Sequence, residues 1–515
     1  MKLINGIKKI SKKNILEKIG KINKMKKKDV IIFLITFIIT NIIFIPYLKG
    51  HYATDTYNIA NIGYHNYAIN WSLKDGRVCM AIIGLLAGKI NMSIKMYVFM
   101  TLFLALIISN LSVILLYKII KKYKQPKNLI HEILLIIISY ITIFNFMYIE
   151  NMHFVESIVM AASVFLFMIS ANIIVEKPKD YFYKSLLLTI IAIICYQGTL
   201  GMFFTFTFLF TILKNKNNVK NIFIDFLCCF IIASISVVLN ILTVSLVGKI
   251  LNVKQTRLGK ISYIFFNIKV IIITFPKIIR YTCGLFPKDV LFLVLSVLTI
   301  MIGIYQLKNM EKKNIFYKYM AVLIITMGAS SIIFIMTLSS FSTGRLRNPL
   351  GALVGILFLL IYSETDLLEK LNVISIITYC VFSIFIILNI INNESLMLQH
   401  KVVNKLEMEE IKELDDYISK YEEENNIKVK KIVRIPVFNE KEKGFCPGVK
   451  NKTSFTHNAL KTSWASDGII NFYTNRNMET IKITDEEIEK YKEISDGQEE
   501  YECIDDILYV KVYAY

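Results

Sequence analysis

Apolar runs of 13 to 25 residues follow one another from residue 30 to residue 391, with polar connectors between them. About 20 apolar residues in a helix span a bilayer's hydrocarbon, where each backbone N–H and C=O must be bonded within the protein. The runs lie near 30–47, 95–117, 130–149, 154–175, 185–197, 199–213, 222–246, 290–307, 317–338, 349–363 and 373–391. A hydrophobic content of 55% exceeds what a soluble core needs. The expected fold class is therefore mainly α: a polytopic membrane protein of about eleven transmembrane helices. From residue 392 the chain turns rich in Glu, Lys, Asn and Asp, with a helix-like run at 406–421 and strand-like runs at 429–436 and 507–512. This predicts a small α/β domain over 392–515, bounded by the step Asn392-Asn393-Glu394-Ser395.

Lysines set the orientation, because Lys and Arg beside span ends stay on the cytoplasmic side. Eleven lysines stand among the first 28 residues, interleaved with Ile4, Ile7, Ile15, Ile19 and Ile22 at helical spacing. Residues 1–29 thus read as a basic amphipathic cytoplasmic arm on the anionic inner leaflet. No small-x-small site follows the first run, so a cleaved signal is not expected. The basic connectors 121–128, 176–184, 214–221 and 308–314 then fall inside, provided that 186–213 is two short helices turning at Tyr196-Gln197-Gly198. The transmembrane domain is 30–391, with outer loops 48–94 and 247–289, and the C-terminal domain is extracytoplasmic. The net charge of +20 suits a lipid-bilayer partner, not nucleic acid. Residues 80–88 are too short to cross and read as an interfacial helix.

Three outer segments hold nearly all the polar residues that topology does not explain. They are 51–94, the turn 148–153 with Glu156, and 247–289 together with 342–348. Ionisable groups near membrane depth are costly and mark functional sites. A sugar carried on a lipid phosphate requires a carboxylate to take the acceptor's proton and cations to hold the leaving phosphate. Asp55 is the first candidate for the carboxylate, against a plain helix cap or turn residue. Asp75, in Lys74-Asp75-Gly76-Arg77, reads equally as a turn former. Arg345 and Arg347 are the leading phosphate ligands, against interfacial snorkelling. Arg77, Arg257 and Lys260 follow, with Arg280 weaker. Glu150, Glu156 and Gln197 are substrate-binding candidates, against a surface acid or packing glue.

In their order along the chain these pieces resemble the GtrII-type bacterial glucosyltransferases of the GT-C class. The pieces are Asp55-Thr56-Tyr57 after the first run, Trp71 followed by Gly76-Arg77, the stretch Asn151 to Ser157, Tyr196-Gln197-Gly198 and Arg345-Leu346-Arg347. The resemblance covers roughly residues 1–390 and implies a GT-C-like helical architecture. It also implies an inverting transfer of a hexose, usually glucose, from a polyprenyl-phosphate sugar donor to a cell-surface glycan acceptor outside the cell membrane, with Asp55 as the base. Asp55 is followed by Thr56 and Tyr57, so the loop carries no D-x-D pair.

Two rivals stand beside that reading: a non-enzymatic flippase or export component for lipid-linked glycans, and an oligosaccharide polymerase. A carrier should line its spans with charges, whereas here they cluster at one face. No cofactor is certain and a divalent metal stays open, although the spacing of His51, His65 and His153 fits no metal-ligand pattern. Cys446 and Cys503 share the outer domain, where a disulfide is permitted. Trp464 and His457 are glycan-contact candidates, against a core anchor.

Overall fold

The computed structural model describes residues 27–215, 218–252, 263–278, 280–307, 343–364, 372–437, 440–449, 452–481 and 500–513. Ten of the eleven apolar runs fall on helices, and the eleventh, 317–338, lies outside the described residues, as do residues 1–26 of the arm 1–29. In chain order the helices are α1 (Lys27–Ile43), α2 (Ile45–Leu48), α3 (Thr54–Tyr67), α4 (Val78–Lys89), α5 (Ile94–Tyr123), α6 (Leu129–Ile143), α7 (Ile149–His153) and α8 (Ser157–Glu176). There follow α9 (Pro178–Tyr196), α10 (Leu200–Asn215), α11 (Val219–Ile250), α12 (Tyr263–Ile278), α13 (Asp289–Leu307), α14 (Asn348–Glu364), α15 (Val373–Asn425) and α16 (Ser466–Thr474).

Among the described residues, five helical stretches are long and apolar enough to cross a membrane. They are Ile94–Tyr123, Ser157–Glu176, Asp180–Asn215, Lys220–Ile250 and Val373–Asn425. The stretch Asp180–Asn215 is a hairpin, since a 3₁₀ turn at Gln197–Thr199 separates α9 from α10 where the sequence places the break. Hydroxyls hold α9 to α8. Ser163 Oγ donates to the Ala192 carbonyl at 2.9 Å and lies 2.7 Å from Thr199 Oγ1, and Ser170 Oγ lies 2.7 Å from Ser185 Oγ. Small hydroxyl residues let apolar helices approach closely and bond across the gap.

Ion pairs gather at both ends of the helices. At one end Glu132 accepts from Lys28 at 2.5 Å, from Lys121 at 2.8 Å and from Tyr117, while Lys118 reaches Asp29 at 3.1 Å. Lys122 pairs with Glu176 at 3.5 Å, and Lys214 with Asp225 at 3.4 Å, at the same end of the chain's up-and-down path. The opposite end gathers Arg77, Glu156, Glu150 and Arg345.

The expected domain step at 392–395 is not a break. α15 runs through it for 53 residues, about 80 Å at 1.5 Å per residue. The asparagines there do not form a linker. Asn389 Nδ2 donates to the Phe144 carbonyl at 2.9 Å and Asn392 Nδ2 to the Leu285 carbonyl at 2.6 Å. Both amides thus satisfy carbonyls of non-helical turns that would otherwise be orphaned.

The C-terminal α/β unit has a four-stranded sheet in the order β2-β1-β4-β3, from β1 (Lys431–Pro436), β2 (Glu479–Ile481), β3 (Tyr501–Ile504) and β4 (Ile507–Val512). β1 is parallel to β2 and β4, and β3 is antiparallel to β4. Its core joins Ile411, Leu414 and Ile418 of α15 to Ile432, Ile469 and Leu508, and it includes Tyr57 from α3. Cys446 and Cys503 are both free thiols. Trp464 packs against this core, and the His457 ring stands edge-on to Phe445 at 4.5 Å.

The segment 51–94, expected as an outer loop with a helix at 80–88, folds as α3, a π-helical turn at Ala68–Leu73 and α4, and the C-terminal unit packs on α3. A Cβ on Gly468 of α16 would sit 2.5 Å from the Tyr57 carbonyl, so only glycine allows this approach. Asn471 Nδ2 donates to Asn61 Oδ1 at 2.7 Å, and Asn404 bonds both the N–H and the C=O of Tyr52 at 2.9 and 2.8 Å.

Glu407 is buried in the same joint. It accepts from the Ala459 N–H at 2.7 Å, from Asn404 at 3.1 Å and from Tyr57 at 3.3 Å. Burial pushes its carboxyl up to about 8, over the opposing pull of those donors, with Glu410 adding to the rise. A carboxyl raised in the folded state binds more protons there than in the unfolded chain between about 4.5 and 8, so stability falls as pH rises through that window. Below pH 6.5 the buried His51, lowered to about 4 by burial, acts in the opposite sense, because the unfolded chain then binds more protons. Between pH 6.5 and 8, thermal unfolding of the wild-type protein should fall with rising pH, at up to about 1.4 kcal/mol per unit. Glu407→Gln should flatten that slope, and an equally steep slope in the variant removes Glu407 as its source.

Candidate functional site

Asp55 lies in the first turn of α3, where the helix dipole favours a carboxylate. It is partly exposed, and its charge acts on Tyr67 and on Arg345. The helix is interrupted at Gly63, whose φ of 77° is open to glycine, and passes into the π turn that carries Trp71. Trp71 stacks on Tyr67 at 6.4 Å. The tight turn Lys74-Asp75-Gly76-Arg77 then reverses the chain. Gly76 has φ 77°, and a Cβ there would meet Val244 of α11 at 2.6 Å, so two constraints fix this glycine.

The turn presents Arg77 to Glu156. Arg77 Nη1 and Glu156 Oε1 are 2.6 Å apart, Asp75 Oδ2 lies 3.6 Å from Nη2, and the Tyr67 hydroxyl donates to the same Glu156 oxygen at 3.0 Å. The guanidinium lies 5.2 Å from the centre of the Tyr196 ring. Burial works against its charge, but Glu156 and Asp75 outweigh burial and hold its pKa above the ordinary value. Gln197 Nε2 donates to the Asp75 carbonyl at 2.7 Å, tying the α9–α10 hairpin to the turn. Arg77 Nε, Gln197 Oε1 and Ser72 Oγ are buried without a partner among the described residues. Such atoms at one place suit a polar ligand.

Arg345 stands over the Phe154 ring at 4.1 Å. Its backbone N–H donates to Glu150 Oε2 at 2.7 Å. Gly344 leaves room for this, since a Cβ would press on Glu150 Oε2 at 2.6 Å. Burial raises the Glu150 carboxyl, and the Arg345 charge, the N–H groups of 344 and 345 and the Ser454 hydroxyl pull against it. The Arg345 guanidinium feels Tyr196, Glu150 and Asp55, which favour its charge, and Arg77, which opposes it. Asp55, Asp75, Arg77, Glu150, Glu156, Gln197 and Arg345 thus come together from four separate segments at one end of the bundle.

Arg347 differs from expectation. It is fully buried and faces the C-terminal end of α12, where it donates to the carbonyls of Tyr281 and Ile278 and to Cys283 Sγ. A guanidinium engaged with carbonyls at a helix end holds the backbone. Arg257 and Lys260 lie outside the described residues, and Arg280 is exposed.

His51 and His153 enter a different cluster. Tyr47 stacks on His51 at 4.0 Å and its hydroxyl meets His153 Nδ1 at 3.2 Å; His153 stands 4.3 Å from His400 and 4.6 Å from Phe455. Burial lowers all three imidazoles, most strongly His153 and His400, so they pack neutral. This joint fastens α2, α7 and α15 to the C-terminal unit. Asp75 and Glu156 both turn to Arg77, and among the described residues no group of three or more His, Cys, Asp or Glu is placed to hold a metal ion.

Sequence reasoning missed Tyr67, and Phe154 entered it only as part of the quoted stretch Asn151 to Ser157; both act through contacts across dozens of residues. Tyr196 was within a quoted motif, but only the fold puts its ring under Arg77. Compared with family models, curated proteins and solved structures, the chain matches none.

Removing one partner of a buried ion pair leaves the other charge uncompensated, at about 3–5 kcal/mol. Glu156→Ala should therefore lower the unfolding free energy by about 3 kcal/mol, since Asp75 still faces Arg77, while Arg77→Met combined with Glu156→Leu should recover most of it. Urea or thermal unfolding measures both. A neutral Glu156→Ala removes the pair from the account of the site's stability.

Proposed function

We propose that the chain is a membrane hexosyltransferase of inverting type that moves a hexose from a polyprenyl-phosphate donor to a glycan hydroxyl at the cell surface. The observation that carries this reading is a partly exposed carboxylate, Asp55, within electrostatic reach of Arg345, which in turn feels the charge of Arg77, at one end of an apolar helical bundle. In the proposed step, Asp55 takes the proton of the acceptor hydroxyl as its oxygen bonds to the anomeric carbon. The bond from that carbon to the phosphate oxygen breaks, and the phosphate leaves with the electron pair. Arg345 attracts the developing charge, with Arg77 behind it, an arrangement worth most where water is excluded. Glu156 and Asp75 position Arg77, and Glu150 positions the backbone of 344–345.

The proposed architecture is a GT-C-like bundle of eleven crossings, with the N-terminus cytoplasmic and the site and the C-terminal α/β unit outside. Supporting it, ten of the expected runs are helical, and the ion-paired ends of α1, α5, α6 and α8 lie opposite the site. Charges concentrate at the ends of the bundle, which favours an enzyme over a carrier that must pass a charged ligand through its spans.

Sidedness is checked by labelling. In a protein stripped of its native cysteines, a cysteine at the exposed Asn477 should react with an impermeant maleimide on intact cells, and one at the exposed Asn218 should react only after lysis. Reaction of the Asn218 variant on intact cells overturns the orientation.

The base is tested by Asp55→Asn, which keeps size and shape but cannot take the proton. Transfer of hexose from a lipid phosphate to a short glycan should fall by about a hundredfold or more, with donor binding retained. Asp75→Asn should cost much less, because Asn suits the same turn. Full activity in a well-expressed Asp55→Asn protein sinks the mechanism.

A further inference from the structure

The three unpartnered atoms at the Arg77 turn, Arg77 Nε, Ser72 Oγ and Gln197 Oε1, belong to side chains that short contacts hold around one reversal of the chain. The Arg77 N–H donates to the Ser72 carbonyl at 2.8 Å. Gln197 Nε2 donates to the Asp75 carbonyl at 2.7 Å, and Oε1 sits on the same planar amide. Ser72 is 1% exposed and Arg77 8%. One donor, one acceptor and one hydroxyl that is both suit a ligand that also gives and takes hydrogen bonds. Trp71 borders the turn, since its carbonyl accepts the Asp75 N–H at 3.1 Å, and its partly exposed indole lies nearly parallel to Tyr67. The electron-rich face of an aromatic ring attracts the C–H groups on a pyranose face.

Charge disfavours a phosphate at this turn. Arg77 Nη1 meets Glu156 at 2.6 Å and Nη2 faces Asp75 at 3.6 Å, so an anion would approach two carboxylates on one guanidinium. Arg345 is placed differently: its backbone N–H, not its guanidinium, donates to Glu150, and the guanidinium stands over the Phe154 ring at 4.1 Å. The tip of the α9–α10 hairpin joins the two places. Gln197 touches the Arg77 turn, and Gly198 makes room for Leu346, the neighbour of Arg345, which a Cβ would meet at 2.7 Å.

We propose that the Arg77 turn holds the hydroxyl groups of the transferred hexose, on Arg77 Nε, Ser72 Oγ and Gln197 Oε1 with Trp71 against the pyranose face, and that the donor's phosphate lies across the hairpin tip at Arg345. Resting on the hexosyl-transfer reading, this division gives each half of the donor its own residues. Glu156 and Asp75 hold Arg77 as a directional hydrogen-bond donor, and Ser72 and Gln197 select the sugar.

Binding is measured on the full-length protein in nanodiscs, with undecaprenyl phosphate and its glucosyl, galactosyl and mannosyl forms as probes. The wild type should bind at least one hexosyl form. Ser72→Ala should weaken that form about five- to tenfold, the worth of one hydrogen bond, and leave bare undecaprenyl phosphate unchanged. Its thermal unfolding should not fall, because the lost hydroxyl has no partner among the described residues. Gln197→Ala should act in the same direction, whereas Arg345→Gln should weaken the hexosyl and the bare form alike. Among monodeoxy versions of the sugar that binds, the one lacking the hydroxyl at Ser72 should lose affinity for the wild type and lose no more for Ser72→Ala. Equal losses of bare phosphate and hexosyl form in Ser72→Ala put the phosphate at the turn and overturn the sugar site, while hexosyl transfer stands. Unchanged hexosyl affinity in folded Ser72→Ala and Gln197→Ala proteins does the same. A wild type that binds none of the three hexosyl forms overturns the hexosyl-transfer reading and the sugar site with it.

Discussion

The pair between Arg77 and Glu156 is the contact on which the arrangement of the site depends. Both groups are buried, and a buried charge is tolerated only when a partner and further hydrogen bonds compensate its lost hydration. Tyr67, Asp75 and the Tyr196 ring supply them. In consequence the first polar segment, the start of α8 and the tip of the α9–α10 hairpin have one relative position. The tight Gly76 turn against α11 and the Gln197 amide on the Asp75 carbonyl confirm that position from other directions.

The C-terminal unit belongs to the same assembly. It rests on α3 through Gly468 and the Asn61–Asn471 bond, and on the histidine joint through Phe455. One uninterrupted helix, α15, carries it from the bundle. Helix and joint together bury Glu407 and three neutral imidazoles between the two parts. Their titrations act in opposite senses, so the fit between bundle and C-terminal unit is most secure near pH 6.5, where the imidazoles are neutral in both states and Glu407 still keeps its proton in the folded one.

Much of the fold was legible in the sequence because it depends on local quantities. The length of an apolar run decides whether a helix can form and how far it reaches. The break at Tyr196-Gln197-Gly198, the helix near 80–88 and the strand at 507–512 all appear where the composition places them. The domain step at Asn392-Asn393 was misread, since a polar cluster looks the same in a linker and in a helix whose amides bond distant carbonyls. The cover that the C-terminal unit gives α3 was not legible for a related reason: nothing local announces that another unit packs there.

The site divides along the same line. Residue types and their order pointed to Asp55, Asp75, Arg77, Glu150, Glu156, Gln197 and Arg345, because an ionisable group at the edge of an apolar run is costly wherever it lies. Which of them touch could not be read from that order. Arg345 and Arg347 are two residues apart and equivalent by composition, yet one faces the acidic cluster and the other caps α12. The sequence by itself determined the mainly helical class with helices long and apolar enough to cross a membrane, the segments that carry charge and the residue types at the candidate site, all of which follow from local hydrophobicity and the cost of burying charge. Only the tertiary structure decided the pairings, because a contact between residues far apart in the chain depends on how the whole bundle packs.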